Sequence, residues 1–338
     1  MNKIWKLLGL FCLWLFLGSQ SVVAEELGGY TIEGVPHPNQ LDPNLGYFYL
    51  HEEVGATDTI KVKLINTSST DKTLRVKVTD AVTNSNGLID YTGILPRHAS
   101  LKYPLTSLTE VSQKEVTVPQ ASEVETEIKL TMPEEKISGV ILGGIVVSEK
   151  PSENQKEEQI SLENTYSYTL GLVLTNETKI ELNKHLSVEL ESVQAKLADG
   201  KKVIEANFFN PHPYIFADAQ VQGIVINQKN QQVIKQGTKE SINIAPYSVY
   251  PFQLDWQKAN LKSGTYLFKG KVIAGEKTWT LEKKFTISKK QANKLNQESV
   301  YQVTIPIWLR GASYVSTCVG VLGTIYLILR RKKGRKSK

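Results

Sequence analysis

Residues 58–68 read DTIKVKLINTS and residues 73–82 read TLRVKVTDAV. In the first, Ile60, Val62 and Leu64 fall on one face. In the second, Leu74, Val76 and Val78 do so, while Arg75 and Lys77 point away. Successive side chains alternate across a strand, so period-two patterning of this length predicts half-buried β-strands. ETEIKLTM (125–132) repeats the pattern, and GVILGGIVVSE (139–149) is a continuous apolar run suited to a buried strand. Pro36, Pro38, Pro43, Pro96, Pro104 and Pro119 lie between the runs, where strands should stop.

The same alternation continues after residue 165. The segment 179–213 reads as strand, turn at Asp199-Gly200, strand; 219–236 alternates again and turns near Asn230. SVYPFQLDW, TYLFKGKVIAG and TWTLEKKFTI complete a set of about seven strands with closely spaced turns, the pattern of an antiparallel sandwich. Between the two halves SEKPSENQKEEQISLEN (148–164) is polar, charged and aperiodic, which marks a linker. The expected fold is all-β: two tandem immunoglobulin-like antiparallel β-sandwiches followed by a single C-terminal transmembrane helix.

The ends carry the topology. Lys3 and Lys6, the apolar run 7–17 and the small residues Val22 and Ala24 have the order of a secretory signal peptide. Residues 311–329 (GASYVSTCVGVLGTIYLIL) would span roughly 28 Å as a helix, close to a bilayer's hydrocarbon thickness, and RRKKGRKSK follows. Basic residues favour the cytoplasmic side. These signals divide the chain into a signal peptide (1–24), a first sandwich (25–148), a linker (149–164), a second sandwich (165–288), a juxtamembrane spacer (289–310), a span (311–329) and a basic cytoplasmic tail (330–338). The expected location is the cell membrane, single-pass, with the bulk of the chain outside and facing the wall. No LPxTG-type sorting motif precedes the span; Leu95-Pro96-Arg97 is the nearest stretch.

The overall charge of +6 misrepresents the working part. Removing the eight basic residues of 306–338 and two of the signal peptide leaves 30 against 34 acids, a net of −4 over 25–305. A nucleic-acid partner is therefore excluded. Both cysteines, Cys12 and Cys318, fall in the signal peptide and the span, and a cysteine-free ectodomain suits a bacterial surface.

Catalytic constellations are missing. His37, His51, His98, His185 and His212 are scattered, and His51-Glu52-Glu53 lacks the second histidine of a zinc-protease helix. There is no GxSxG elbow, and Ser69-Thr70-Asp71-Lys72 matches SxxK without its companion motifs. No catalytic residue, metal site or cofactor is expected. Candidate binding residues are the outward members of aromatic clusters (Tyr47, Tyr49, Phe209 and Tyr247, with Asn210 beside them) and those of TNSNGLIDY (83–91): Asn84, Asn86, Gly87, Asp90 and Tyr91. Asn86-Gly87 favours a tight turn, so this motif shapes a hairpin first and contacts a partner second.

Tyr30-Thr31-Ile32, Asn39-Gln40, the 47–50 strand, TNSNGLIDY and Gly143-Gly144-Ile145, followed by NFFNPHP (207–213), Ile244-Ala245-Pro246 and LKSGTY (261–266), resemble in order and spacing the WxL-interacting proteins of Gram-positive bacteria. The match covers nearly the whole mature chain. Tyr247 departs from it, since asparagine is expected after Ala-Pro. The resemblance implies a peptidoglycan-binding domain, a second host-binding domain and a membrane anchor. Partners would be peptidoglycan, WxL-domain surface proteins and host extracellular proteins. Trp279-Thr280-Leu281 is itself a WxL tripeptide, but it sits in an alternating run where Trp279 and Leu281 share a strand face. The function expected is a non-enzymatic surface adaptor. Two others stay open: a host-ligand adhesin with the first domain as stalk, and a wall-modifying enzyme.

Overall fold

The structure is a computed structural model that describes residues 28–150, 166–183, 186–301 and 307–335. The expected signal peptide, most of the linker and the last residues of the tail lie outside the described residues.

The first half contains β1 (Tyr30–Gly34), β2 (Phe48–His51), β3 (Thr57–Asn66), β4 (Lys72–Asp80), β5 (Val82–Thr83), β6 (Ile89–Asp90), a short helix α1 (Leu105–Leu108), β7 (Thr109–Val111), β8 (Glu115–Val118), β9 (Ser122–Thr131), β10 (Ile141–Glu149) and β11 (Ser167–Thr175). One sheet has the order β1-β3-β9-β7 and the facing sheet β2-β11-β10-β4-β8, while β5 and β6 form a separate hairpin. The alternating stretches behave as their pattern requires: Ile60, Val62, Leu64 and Leu74 are fully buried, and Lys61 and Arg75 are exposed. The continuous apolar run becomes β10, a central strand buried on both faces. Its Ile141, Ile145 and Val147 enter the sandwich core, and Leu142 faces a second, smaller cluster.

Two expectations need correction. β11, counted with the second sandwich in the sequence reading, is a central strand of the first, antiparallel to β10 (Ile141↔Leu174 to Ser148↔Ser167). The strands on either side of the charged linker are thus neighbours in one sheet, so it does not mark the end of a core. On its other side β11 pairs with β2 in parallel (Leu172↔Phe48 to Thr175↔His51), so the first sandwich is not wholly antiparallel. A parallel pair needs a long crossover, which the intervening strands of both sheets supply.

The second half contains β12 (Glu189–Ala198), β13 (Lys201–Phe209), β14 (Phe216–Asn227), β15 (Val233–Ile244), β16 (Val249–Asp255), β17 (Gly264–Ala274) and β18 (Lys277–Ile287). They form a three-stranded sheet, β12-β13-β16, facing a four-stranded one, β15-β14-β17-β18. The β12–β13 hairpin turns at Asp199 and Gly200, both with positive φ (47° and 71°), which matches the right-handed twist of the flanking strands. Phe208, Phe252 and Phe268 meet at the centre, with ring centroids about 6 Å apart. Trp279 lies in β18 against Phe216.

The segment expected as a spacer begins with α2 (Lys289–Glu298), capped by Ser288 Oγ, which accepts from the Gln291 amide at 3.1 Å. α2 buries Ala292 and Leu295 against the second sandwich, so this part is packed domain rather than stalk. α3 (Ile307–Arg335) follows. Among the described residues no helix is long and apolar enough to cross a membrane. The last residues of the expected span, Leu327, Ile328 and Leu329, have side chains outside those described.

Candidate functional site

The hairpin of β5 and β6 is built as its sequence suggests. Asn84 Oδ1 accepts from the backbone N–H of Asn86 (2.9 Å) and of Leu88 (3.2 Å), and Gly87 takes φ +76°. Asp90 Oδ1 closes the next turn, accepting from the Thr92 amide (2.8 Å) and hydroxyl (2.6 Å). Asn84 and Asp90 therefore spend their acceptors on local backbone, as short polar side chains in turns do.

The hairpin does not face solvent alone. It docks on the second sandwich through residues that the sequence reading had kept in separate motifs. Thr83 Oγ1 accepts from the Ala245 amide at 2.9 Å, and the Thr83 amide donates to Ser248 Oγ at 2.9 Å. The Asn243 amide donates to the Gly87 carbonyl at 2.8 Å, and Gly87 lies against Ile242. A second strap joins Val140 to the Pro213 carbonyl (2.8 Å). Glu177 Oε1 accepts from both the Gly139 amide and the Tyr214 hydroxyl at 2.9 Å. Ala81, Val140, Leu142, Val173 and Ala245 form the apolar centre of this joint, with Tyr49, Ile89 and Tyr91 packed against it. Burial at the joint raises the Tyr49 and Tyr91 hydroxyls above the usual phenol range.

Asn210 is buried beneath the joint, and its Nδ2 donates to the carbonyls of Tyr214 (2.8 Å) and Ala245 (3.1 Å). Phe209 packs against His98 with ring centroids 4.5 Å apart and planes tilted by 41°, and His98 Nε2 lies 3.2 Å from Glu191. Ser187 Oγ and His212 Nε2 are 2.6 Å apart, tying the stretch before β12 to the segment after β13. Tyr247 holds φ +49°, a left-handed conformation that asparagine adopts at low cost and tyrosine does not. The asparagine expected there has a geometric reason. Thus Gly87, Tyr91, Tyr49, Phe209, Asn210 and Tyr247 come together as parts of one interdomain joint. Tyr47 is 41% exposed and lies over Gly171, next to Tyr91 over the cross-strand neighbour Gly144, at the solvent edge of the same outer sheet face.

One cluster was not legible in the sequence. Ligand-capable atoms of His37, Glu52 and Asp58 lie within 4.8 Å of one another. His37 Nε2 is 3.4 Å from Asp58, and Asn39 Nδ2 donates to both Glu52 oxygens (3.1 and 3.2 Å) and to Asp58 (3.1 Å). The Asn39 amide thus occupies the place between the carboxylates. Burial of Glu52, chiefly, pushes its carboxyl above the usual range, opposed by the Asn39 hydrogen bond. The spacings of 15 and 6 residues form no motif, so only the fold reveals the group.

Residues 30–149 match the family described as WxL Interacting Protein, peptidoglycan binding domain, and residues 157–297 match WxL Interacting Protein, host binding domain. No curated protein matches the chain. Among solved structures, the Pseudomonas aeruginosa CupB2 chaperone is 15% identical, over 67% of this chain and 91% of that one, with a TM-score of 0.27. The class 5 fimbriae chaperone CfaA is 14% identical over 75% and 98%, with a TM-score of 0.29. The E. coli chaperone DraB is 14% identical over 70% and 97%, with a TM-score of 0.28. Superpositions this poor carry no argument. The two family matches follow each other along the chain, and the chain belongs to the WxL Interacting Protein family.

Proposed function

We propose that the chain is a membrane-anchored, non-enzymatic cell-surface adaptor. Its first domain holds peptidoglycan, and its second engages a WxL-domain surface protein and host extracellular proteins. The observation that carries this reading is the pairing of peptidoglycan-binding and host-binding family domains in one chain. The anchor would be α3, whose Tyr314, Val315, Val319, Leu322 and Tyr326 are apolar yet each more than 60% exposed, as lipid-facing side chains are. Its basic end, 330–338, would stay in the cytoplasm.

Co-sedimentation of the full chain with insoluble Gram-positive peptidoglycan tests the first contact, and capture of a WxL domain tests the second. Sedimentation together with capture is expected; a chain that does neither removes the basis of the proposal. The mode of capture that fits the second sandwich is strand addition at β15. This is an edge strand with Val233 and Ile234 exposed; its far end is taken up by the Asn243–Gly87 bond of the joint, so an incoming strand would add along the Val233 end. Proline substitutions along β15 that leave capture intact would exclude that mode.

A further inference from the structure

β15 is paired only with β14, and its register places Lys239 opposite Val221, Gly237 opposite Gly223 and Lys235 opposite Val225. Residues opposite each other on paired strands share a face. Val221 and Val225 are fully buried in the core, so Lys235, Gly237 and Lys239 lie on the inner face of the sandwich. An inner face calls for apolar side chains. β15 instead carries two lysines around a glycine, away from the Asn243 end that the joint occupies. A groove of about 250 Å³ separates β15 from β16, the edge strand of the facing sheet. Lys235, Gly237 and Lys239 line one side of it, and Phe252, Leu254 and Asp255 the other. Its middle is closed at Gly237, where a Cβ would lie 2.7 Å from Leu254 Cδ2.

Among the described residues neither lysine is ion-paired or hydrogen-bonded through its side chain. The acids nearby in the chain are engaged: Asp255 Oδ1 accepts from the Gln257 amide (2.7 Å), and Glu240 accepts from Gln220 (3.0 Å). Inward-pointing charge on an edge strand repels a second copy of that edge, because pairing about Gly237 would set lysine against lysine. The same charges select a strand of opposite sign, since facing side chains attract when oppositely charged and repel when alike. Side chains of an incoming strand repeat every two residues. Two positions four apart therefore face Lys235 and Lys239, and the position midway faces Gly237 beside Leu254. We propose that β15 captures an extended partner segment of the form acid-x-apolar-x-acid, its two carboxylates on Lys235 and Lys239 and its apolar side chain at Gly237. The pattern reads the same in both directions, so parallel and antiparallel entry both satisfy it. This inference rests on the strand-addition reading of β15 above and gives it a partner chemistry.

The test is fluorescence anisotropy of labelled peptides with the full chain in detergent micelles. The probes are VTETVTETV, with both glutamates on the face of the central valine; VETTVTTEV, of the same composition with the glutamates on the other face; and VTKTVTKTV. Capture of a WxL domain and sedimentation with peptidoglycan are measured in parallel. VTETVTETV should bind, and the other two should bind roughly tenfold more weakly or not at all. Lys235→Arg/Lys239→Arg should keep that preference. Lys235→Glu/Lys239→Glu should reverse it, losing VTETVTETV and gaining VTKTVTKTV, and the gain itself shows that the variant is folded. Equal binding of the three peptides, binding of none, or a preference that charge reversal leaves in place overturns the assignment. If a WxL domain is captured by parent and charge-reversed chains alike while no peptide binds, the acidic-strand assignment falls and the adaptor reading stands. If the chain binds no peptide, captures no WxL domain and does not sediment with peptidoglycan, both fall.

Discussion

Replacing Gly87 by alanine should destabilise the protein through the joint between its domains. Gly87 has φ +76°, and a Cβ there would lie 2.2 Å from Ile242 Cδ1 and about 3.1 Å from its other branch atoms. The left-handed backbone costs a non-glycine residue about 1–2 kcal/mol. Ile242 is fully buried, so displacing it adds roughly 1–3 kcal/mol of overpacking. Together these predict about 2–5 kcal/mol. Gly275 supplies the control: its φ is +56° and a Cβ there meets nothing within 4 Å, so Gly275→Ala should cost only the backbone part. Ile242→Val removes the nearest clashing atom at its own cost of about 0.5–1.5 kcal/mol, so the Gly87→Ala/Ile242→Val double variant should lose less than the sum. Urea denaturation followed by circular dichroism measures all four. If Gly87→Ala costs no more than Gly275→Ala and shows no coupling to residue 242, the hairpin is not packed on the second domain as described.

Thr83→Val keeps the shape of the side chain but leaves the buried Ala245 amide without its acceptor, and should cost about 1–3 kcal/mol in the same assay. A chain ending at residue 150 lacks β11 and with it Leu170, Leu172 and Leu174 of the first core. At about 1.5–3 kcal/mol each, that loss matches the stability of a whole domain, and the fragment should show no cooperative unfolding transition. Tyr247→Asn relieves a left-handed tyrosine while giving up ring packing beside Pro213 and Tyr103, so its effect should stay within about 1 kcal/mol; a larger loss would make packing the dominant contribution. Glu52 gives a pH dependence. Its carboxyl is raised in the fold, so its contribution is full below the ordinary value of 4.5 and is lost as pH climbs through the raised one. Glu52→Gln should therefore lose less urea midpoint than the parent between pH 4.5 and 7; parallel curves would refute this.

Strands were readable where one face is wet and the other dry. Lys61, Lys63, Arg75 and Lys77 alternate with buried neighbours, and that alternation is local to the chain. Turns were readable where a residue type answers a backbone need, as at Asp199-Gly200 and Asn86-Gly87. The partner of a strand was not. The stretch 168–175, YTLGLVLT, was placed with the second sandwich, and nothing in it says that Leu172 pairs with Phe48 or Leu174 with Ile141. The joint was hidden for the same reason, since Thr83 and Ala245 stand 162 residues apart. Both stretches were visible, the first as a hairpin with a secondary contact role and the second only as a mark of resemblance, because buried interdomain polar groups and exposed binding groups draw on the same residues: asparagine, threonine, tyrosine and glycine. Tyr47 alone of the singled-out tyrosines keeps 41% of its surface, and it lines a groove.

That division bears on how two ligands could be held at once. A flexible linker would let each domain bind independently, with the second event costing the entropy of orienting one domain on the other. Here the chain leaves the first sheet at β10 and returns to it at β11 before entering the second sandwich. The returning strand is therefore fixed on both sides by strand pairing. Just beyond β11 Glu177 accepts from Tyr214, and elsewhere in the first domain Thr83 accepts from the Ala245 amide and the Val140 amide donates to the Pro213 carbonyl. Separating the domains would expose Ala81, Leu142, Val173 and Ala245 and leave the Thr83 and Ala245 amides without acceptors. At roughly 1–3 kcal/mol per orphaned group, the polar part alone disfavours opening. The orientation is thus set on folding rather than on binding, and a ligand on the first domain and a partner at β15 would meet surfaces whose relative placement is already determined. Loosening the joint with Thr83→Val while leaving both surfaces intact should weaken simultaneous engagement of peptidoglycan and a WxL domain more than either alone; equal losses in all three would place the effect within a single domain.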